Sequence, residues 1–401
     1  MHEVGFMGFT RGVLTGFMAL SACGCGSQSE SLPRTVSSSV PDGAFLTPVT
    51  PLDQSARAGE HVVAPEVVIL GSDFSAVAGV RVEFVSSSGS TVDVAEAVTD
   101  VAGLASAESW QLGRLIGAYT VDARLLRSGE SATFRAEATS DYRIEVRQVA
   151  AFSASQTEAF ERATRRWSGV ILNDLPDVEI AADVVSTACG VVEADDIVVD
   201  DLIIYVNRTT LDGVGGRVAR VGPCLVRDGG APAVSVVEFD AADLDVLRVE
   251  GGLEEVVLHQ FGHAVGFGLL WLPRGLVTEA SVPGSPSANP QFTGRAARAE
   301  FARLSGQSDS SVPVQSGARP GVSDIHWRQG VLPGELMAPL QISTNAGRAL
   351  SVLTTGSLDD LGFYTANAAA AGPYAIASAS PAEPDDFYGC EALAQGSSSV
   401  R

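Results

Sequence analysis

The chain has 401 residues, enough for two or three domains with a sizeable core, and its hydrophobic fraction of 45% excludes wholesale disorder. Acidic residues number 48 against 26 basic ones, every basic one is arginine, and the formal net charge is −22. So acidic a surface argues against nucleic acid and anionic membrane faces as partners and favours solubility.

Residues 1–22 carry a secretory signal pattern: Arg11, an apolar run from Val13 to Leu20, then small residues. The run is too short to span a bilayer as a mature helix. The ending "LSAC" resembles a bacterial lipobox, in which Cys23 becomes a diacylated N-terminus; a plain signal peptide cleaved nearby is the alternative, because Glu3 leaves the first residues with little positive charge. A lipid on Cys23 is then the one membrane attachment expected. The destination is the bacterial cell envelope, as an outer-membrane or surface lipoprotein. In that oxidising setting Cys189 and Cys224, 35 positions apart, are the expected disulfide. Cys390 is left free or paired with Cys25.

Residues 23–45 are rich in Ser, Gly and Pro without an apolar period and read as a flexible tether. From 46 to 140 the pattern is β. "VRVEFV" (80–85), "YTVDARL" (119–125) and "ATFRAEA" (132–138) alternate apolar and polar residues, separated by turns at 86–90 and 127–131. Short strands at this spacing predict an all-β sandwich. The stretch "VAGVRVEF…TDVAGLASAESWQLG…GAYTVDA" resembles the bacterial immunoglobulin-like domains of invasins and intimins, which implies a spacer that carries a functional domain away from the surface.

Residues 141–366 mix helical and strand periods and predict a second, α+β domain, with an α/β arrangement as the other possibility. "SASQTEAFERATRRWSGVI" places Phe160, Ala163, Trp167 and Ile171 at helical spacing, with Ser155 and Glu158 as a capping box. "DDLIIYV" (200–206) predicts a buried strand and "DGVGG" (212–216) the turn after it. Residues 367–401 have the composition of a mobile tail, although the alanine-rich start could continue an ordered element.

The chemistry sits in "VVLHQFGHAVGFG", residues 256–268. His259 and His263 are four apart, so one helix face presents both imidazoles to one ion. An isolated pair of this kind is more often a satisfied core feature than a metal site. Three observations point further: Gly262, Gly266 and Gly268 stand where a helix former would save about 1 kcal/mol each; a third histidine, His326, follows in "SDIHWRQGV"; and "GELMAPL" (334–340), with Met337, comes after it. Together these residues resemble the leishmanolysin-like zinc metallopeptidases, a branch of the metzincins whose bacterial motif reads HExGHxxGxGxxW, against "HQFGHAVGFGLLW" here. The resemblance implies one zinc ion on His259, His263 and His326, a Met-turn at Met337, and hydrolysis of peptides or proteins.

The departure from that pattern is Gln260. The family's glutamate at this position accepts a proton from the attacking water, and an amide cannot do so at neutral pH. The expectation is a metalloendopeptidase impaired in catalysis; the alternatives are a zinc-binding pseudopeptidase or an adhesin-like surface protein that binds partners without cleaving them. Of the carboxylates that could replace the missing base, Glu254 and Glu255 lie most of a turn away, and Glu335 beside the Met-turn is the remaining candidate. Acidic segments at 199–202 and 211–213 could hold calcium, but acids at strand ends and turns commonly have no ion.

Overall fold

The structure is a computed structural model that describes residues 40–280, 289–308, 310–317, 321–340, 347–376, 389–392 and 398–400. The expected signal segment, Cys23, Cys25 and most of the expected tether lie outside the described residues.

The β pattern of the first half gives a sandwich. Gly117–Leu125 pairs antiparallel with Ser131–Thr139 on one side and Arg81–Ser86 on the other. Glu96–Val98 and Asp53–Arg57 complete a five-stranded sheet. The second sheet joins Phe45–Pro48, Glu66–Leu70 and Leu104–Ser106. Because side chains alternate across a strand, Tyr119, Val121, Ala123 and Leu125 all point inward. They share a core with Val67 and Ile69 of the other sheet and with the fully buried Trp110.

The second domain is α+β. Its main sheet runs in the order Ile144–Gln148, Leu202–Thr209, Pro232–Asp240, Arg217–Arg227, Gly389–Ala392. The first three strands are parallel and Arg217–Arg227 runs against Pro232–Asp240 as a hairpin. Helix α1 (Ala154–Ser168) buries Phe160, Ala163 and Trp167. Its cap differs from the expected one: Ser153 and Gln156 form the capping box, not Ser155 and Glu158. Phe152 packs edge-on against Phe160 at 4.9 Å between ring centroids and brings the chain in two residues earlier. The helix also stops at Ser168, so Ile171 lies beyond it and bridges to Ala366.

Helix α2 (Ala182–Cys189) ends at the expected disulfide, Cys189–Cys224, which ties it to the Arg217–Arg227 strand. Helices α3 (Ala241–Glu250) and α4 (Leu253–Ala264) follow the strand Pro232–Asp240, and α5 (Arg295–Ser305) pairs with α6 (Val352–Asp360).

The expected mobile tail from 367 onward is corrected in two places. Residues Gly389–Ala392 and Ser398–Val400 pair in parallel with Arg217–Arg227, which would otherwise leave backbone donors and acceptors on a sheet edge. Residues 367–371 are held in the seam between the two domains, which belong to one compact unit. The buried Asn367 amide donates to the carbonyls of Ala58 (2.8 Å) and Gly169 (3.1 Å). Arg114 and Arg166 donate to the carbonyls of Ala371 and Ala370. Gly59, at φ +82°, lets the chain pass so closely that an added Cβ would lie 2.3 Å from the Ala369 oxygen. Small side chains at 368–370 make that approach sterically possible, and for this alanine-rich start an ordered element is the alternative to a mobile tail.

Candidate metal centre

Helix α4 begins after Gly252, and Glu254 and Glu255 in its first turn complement the helix dipole. Val256, Val257, Phe261 and Ala264 are buried in the core of the domain. His259 and His263 are buried too and face a long return of the chain, residues 321–340. The indole of Trp167 donates to the carbonyl of Leu258 at 2.8 Å and fixes α1 against α4.

The three glycines have separate reasons to be there. At Gly262 a Cβ would stand 2.6 Å from the Met337 sulfur and 2.7 Å from Trp167 Cζ2, so only glycine lets the Met337 turn rise against the helix. Gly266 ends α4 with φ +107°. At Gly268, φ +73°, a Cβ would lie 2.0 Å from the carbonyl oxygen of Ile325, the residue before His326. Two of the three therefore admit the segments that complete the site, a role that spacing in the sequence did not reveal.

The Nε2 atoms of His259, His263 and His326 converge: 3.1 Å between His259 and His326, 3.1 Å between His259 and His263, and 3.0 Å between His263 and His326. Each Nδ1 faces a backbone carbonyl instead, that of Leu336 at 2.7 Å, Phe267 at 3.0 Å and Val322 at 2.8 Å respectively. A carbonyl only accepts, so each Nδ1 must carry the proton and each Nε2 presents a lone pair. All three rings are buried. Burial is the main cause that holds His263 down at about 4 and His259 and His326 well below the ordinary histidine range; at His259 and His326 the neighbouring imidazoles add to it.

Three lone pairs aimed at one another in a dry site repel unless a cation lies among them. A tetrahedral ion at about 2.0–2.1 Å from each nitrogen would hold the nitrogens about 3.3 Å apart, close to the spacing present. The residues therefore fit a single divalent metal of the zinc type. Gln260 is fully buried on α4 between the two helical histidines.

Glu335, the candidate replacement base, is turned to other partners. Its carboxylate accepts the N–H groups of Met337 (2.5 Å) and Ser351 (3.1 Å) and the hydroxyls of Ser351 (2.7 Å) and Thr354 (2.6 Å). Burial pushes this carboxyl up, while the four donors pull it back. It anchors the Met337 turn to the start of α6, and Trp327, next to His326, donates to Thr354 of the same network. Glu254 pairs with Arg162 and Glu255 with Arg348.

The two acidic segments considered for calcium separate. Asp201 accepts the N–H groups of Arg143 and Leu175, beside the exposed Asp174 and Asp200. The N–H groups of 211–213 turn to Asp240 instead.

Residues 187–380, a little under half of the chain, match the family model for leishmanolysin, peptidase M8. The match spans all three histidines and Met337 and supports a leishmanolysin-like metallopeptidase domain. No curated protein matches the chain. Among solved structures, it is similar to a C-terminal 282-residue fragment of intimin in complex with the intimin-binding domain of its translocated receptor, at 21% identity and TM-score 0.19, covering 21% of this chain and 29% of that one. The D0-D1 domain of intimin (17%, TM-score 0.20) shares 23% of this chain and 48% of its own; the D00-D0 domain (15%, TM-score 0.20) shares 26% and 50%. The chain thus spans at most half the length of these structures, and the sandwich rests on its own strand pairing.

Proposed function

We propose that the chain is an exported zinc-metallopeptidase-family protein that engages peptides or proteins at the bacterial cell surface, with hydrolysis impaired by Gln260. The observation that carries this reading is the buried convergence of three unprotonated Nε2 atoms, from His259, His263 and His326. An all-imidazole donor set favours zinc over hard cations such as magnesium or calcium. Zinc bound there would supply Lewis acidity toward a peptide carbonyl.

The chain's own groups set the rest. The carbonyls of Leu336, Phe267 and Val322 fix ring orientation and tautomer, and the Met337 turn supports α4 from the side of Gly262. Gln260 stands where the resemblance places the general base. Its amide can hydrogen-bond a water molecule but cannot take its proton, a loss of roughly 10²- to 10⁴-fold, or about 3–5 kcal/mol of barrier. The Cys189–Cys224 disulfide suits an oxidising compartment. A lipid on Cys23 would anchor the protein, and the sandwich would hold the metal domain away from the membrane.

A second reading, a zinc-binding pseudopeptidase that holds peptides without cleaving them, is favoured by one observation. Glu335, Glu254 and Glu255 all have other partners.

Metal analysis and a peptide-library assay on the purified chain test both. About one zinc per chain is expected, with loss of retention in His326→Ala. Gln260→Glu should raise peptidase activity by roughly 10²- to 10⁴-fold. Zinc without any gain would leave the binding module, and absence of zinc would favour an adhesin-like surface protein.

A further inference from the structure

The loop between the strands Leu202–Thr209 and Arg217–Arg227 folds onto the first turn of α3 through two buried carboxylates. Asp240, the N-cap of α3, is fully buried. Its Oδ2 accepts the N–H groups of Leu211 (2.6 Å), Asp212 (3.1 Å) and Gly213 (3.2 Å), and its Oδ1 those of Ala242 (2.8 Å) and Asp243 (3.3 Å). All the acceptor capacity of this carboxylate is in use.

Asp243, three residues on, is different. It is 1% exposed, and its Oδ1 accepts the N–H of Gly215 at 2.7 Å. Its Oδ2 is buried without a hydrogen-bond partner. Burial is the main cause that pushes this carboxyl up, and the like charges of Asp240 and Asp212 push it further. Asp212 is exposed on the loop, its two oxygens facing the N–H of Arg217 at 3.2 and 3.1 Å. Positive φ at Gly213, Gly215 and Gly216 lets this short loop wrap the helix start.

A buried carboxylate oxygen left bare costs several kcal/mol in the charged form, so the native state must protonate it or give it a cation. The neighbouring carboxylates of Asp240 and Asp212 favour the cation. The donor set has oxygen atoms only, which suits a hard ion of flexible coordination and not the zinc-type ion of the histidine triad. We propose that Asp243 Oδ2 and the Asp212 carboxylate hold a calcium ion at a site separate from the histidine centre. A cation there pins the loop to α3 and relieves the repulsion among three acids. Since α3 leads directly into α4, the site stiffens the approach to the histidine helix.

The test uses the full chain, already loaded with zinc, titrated with calcium chloride and followed by calorimetry and thermal unfolding. One calcium per chain is expected, with a Kd somewhere from about 10⁻⁶ to 10⁻³ M and a Tm that rises with calcium. Asp243→Asn should weaken binding by about 100-fold or more, and Asp212→Asn by about 10-fold or more, as charge is removed from the ligand set. Asp174→Asn, in the other acidic group, should leave binding unchanged. If Asp243→Asn fails to fold, Asp212→Asn decides alone, because its side chain is exposed. No calcium uptake by the parent chain at about 10 mM, well above the weakest sites of this class, overturns the proposal. So does undiminished binding in Asp212→Asn, or loss of binding in Asp174→Asn.

Discussion

The sandwich and the metal domain bury comparable kinds of residues but reach them over different distances along the chain. In the sandwich, Gly117–Leu125 finds its partner Ser131–Thr139 across a short turn, and Phe134 stands directly opposite Val121. In the metal domain, His259 meets the carbonyl of Leu336 across 77 positions and the ring of His326 across 67. Local pairing is set by the alternation of side chains. Distant pairing depends on whether two backbones can come close enough, and here glycine decides that.

The harshest way to break the distant assembly without touching the sandwich is Gly262→Ala. Its methyl would overlap the Met337 sulfur and the Trp167 ring, and overpacking of this kind costs about 1–3 kcal/mol or more. Zinc content should fall and the metal domain should unfold earlier, while hydrogen exchange in the Gly117–Leu125 hairpin stays slow. Unchanged zinc content and stability would mean that the close approach is not needed.

A smaller effect is expected at the seam. Asn367→Ala leaves the carbonyls of Ala58 and Gly169 without this donor, a loss of about 1–3 kcal/mol. Calorimetry should then resolve a sandwich transition from a metal-domain transition. A single transition at the parent temperature would show that other contacts couple the two.

The mildest perturbation concerns the cap of α1. Ser153→Ala should cost about 1 kcal/mol, whereas Ser155→Ala should stay within about 0.5 kcal/mol. Equal effects in denaturant melts would return the capping box to the position suggested by the residue pattern.

Much of the site is legible in the order and spacing of its residues. The four-residue spacing of His259 and His263 needs only helical geometry, and His326 and Met337 enter through the resemblance to the leishmanolysin-like pattern. The disulfide follows from cysteine number and spacing. Other features are not legible, for physical reasons. Glu335 resembles a free carboxylate because nothing local indicates that Ser351 and Thr354 will come to it from the start of α6. Residues 367–371 have the composition of a mobile segment because alanine has no pattern of its own, and their order comes from a seam with residues more than 300 positions earlier.

What the sequence determined by itself is what short-range rules govern: the β alternation of residues 80–138 and the helix that carries two histidines. Tertiary structure alone decided which oxygen and nitrogen atoms face one another. The Nδ1 of each histidine is turned to a carbonyl, the Glu335 carboxylate is saturated with donors, and the Asp243 Oδ2 is left bare. His263 and His326 turn to carbonyls only four residues away, but the contact of His259 with Leu336 and the meeting of the three rings depend on the approach of segments far apart in the chain, which the small volume of Gly262 and Gly268 permits.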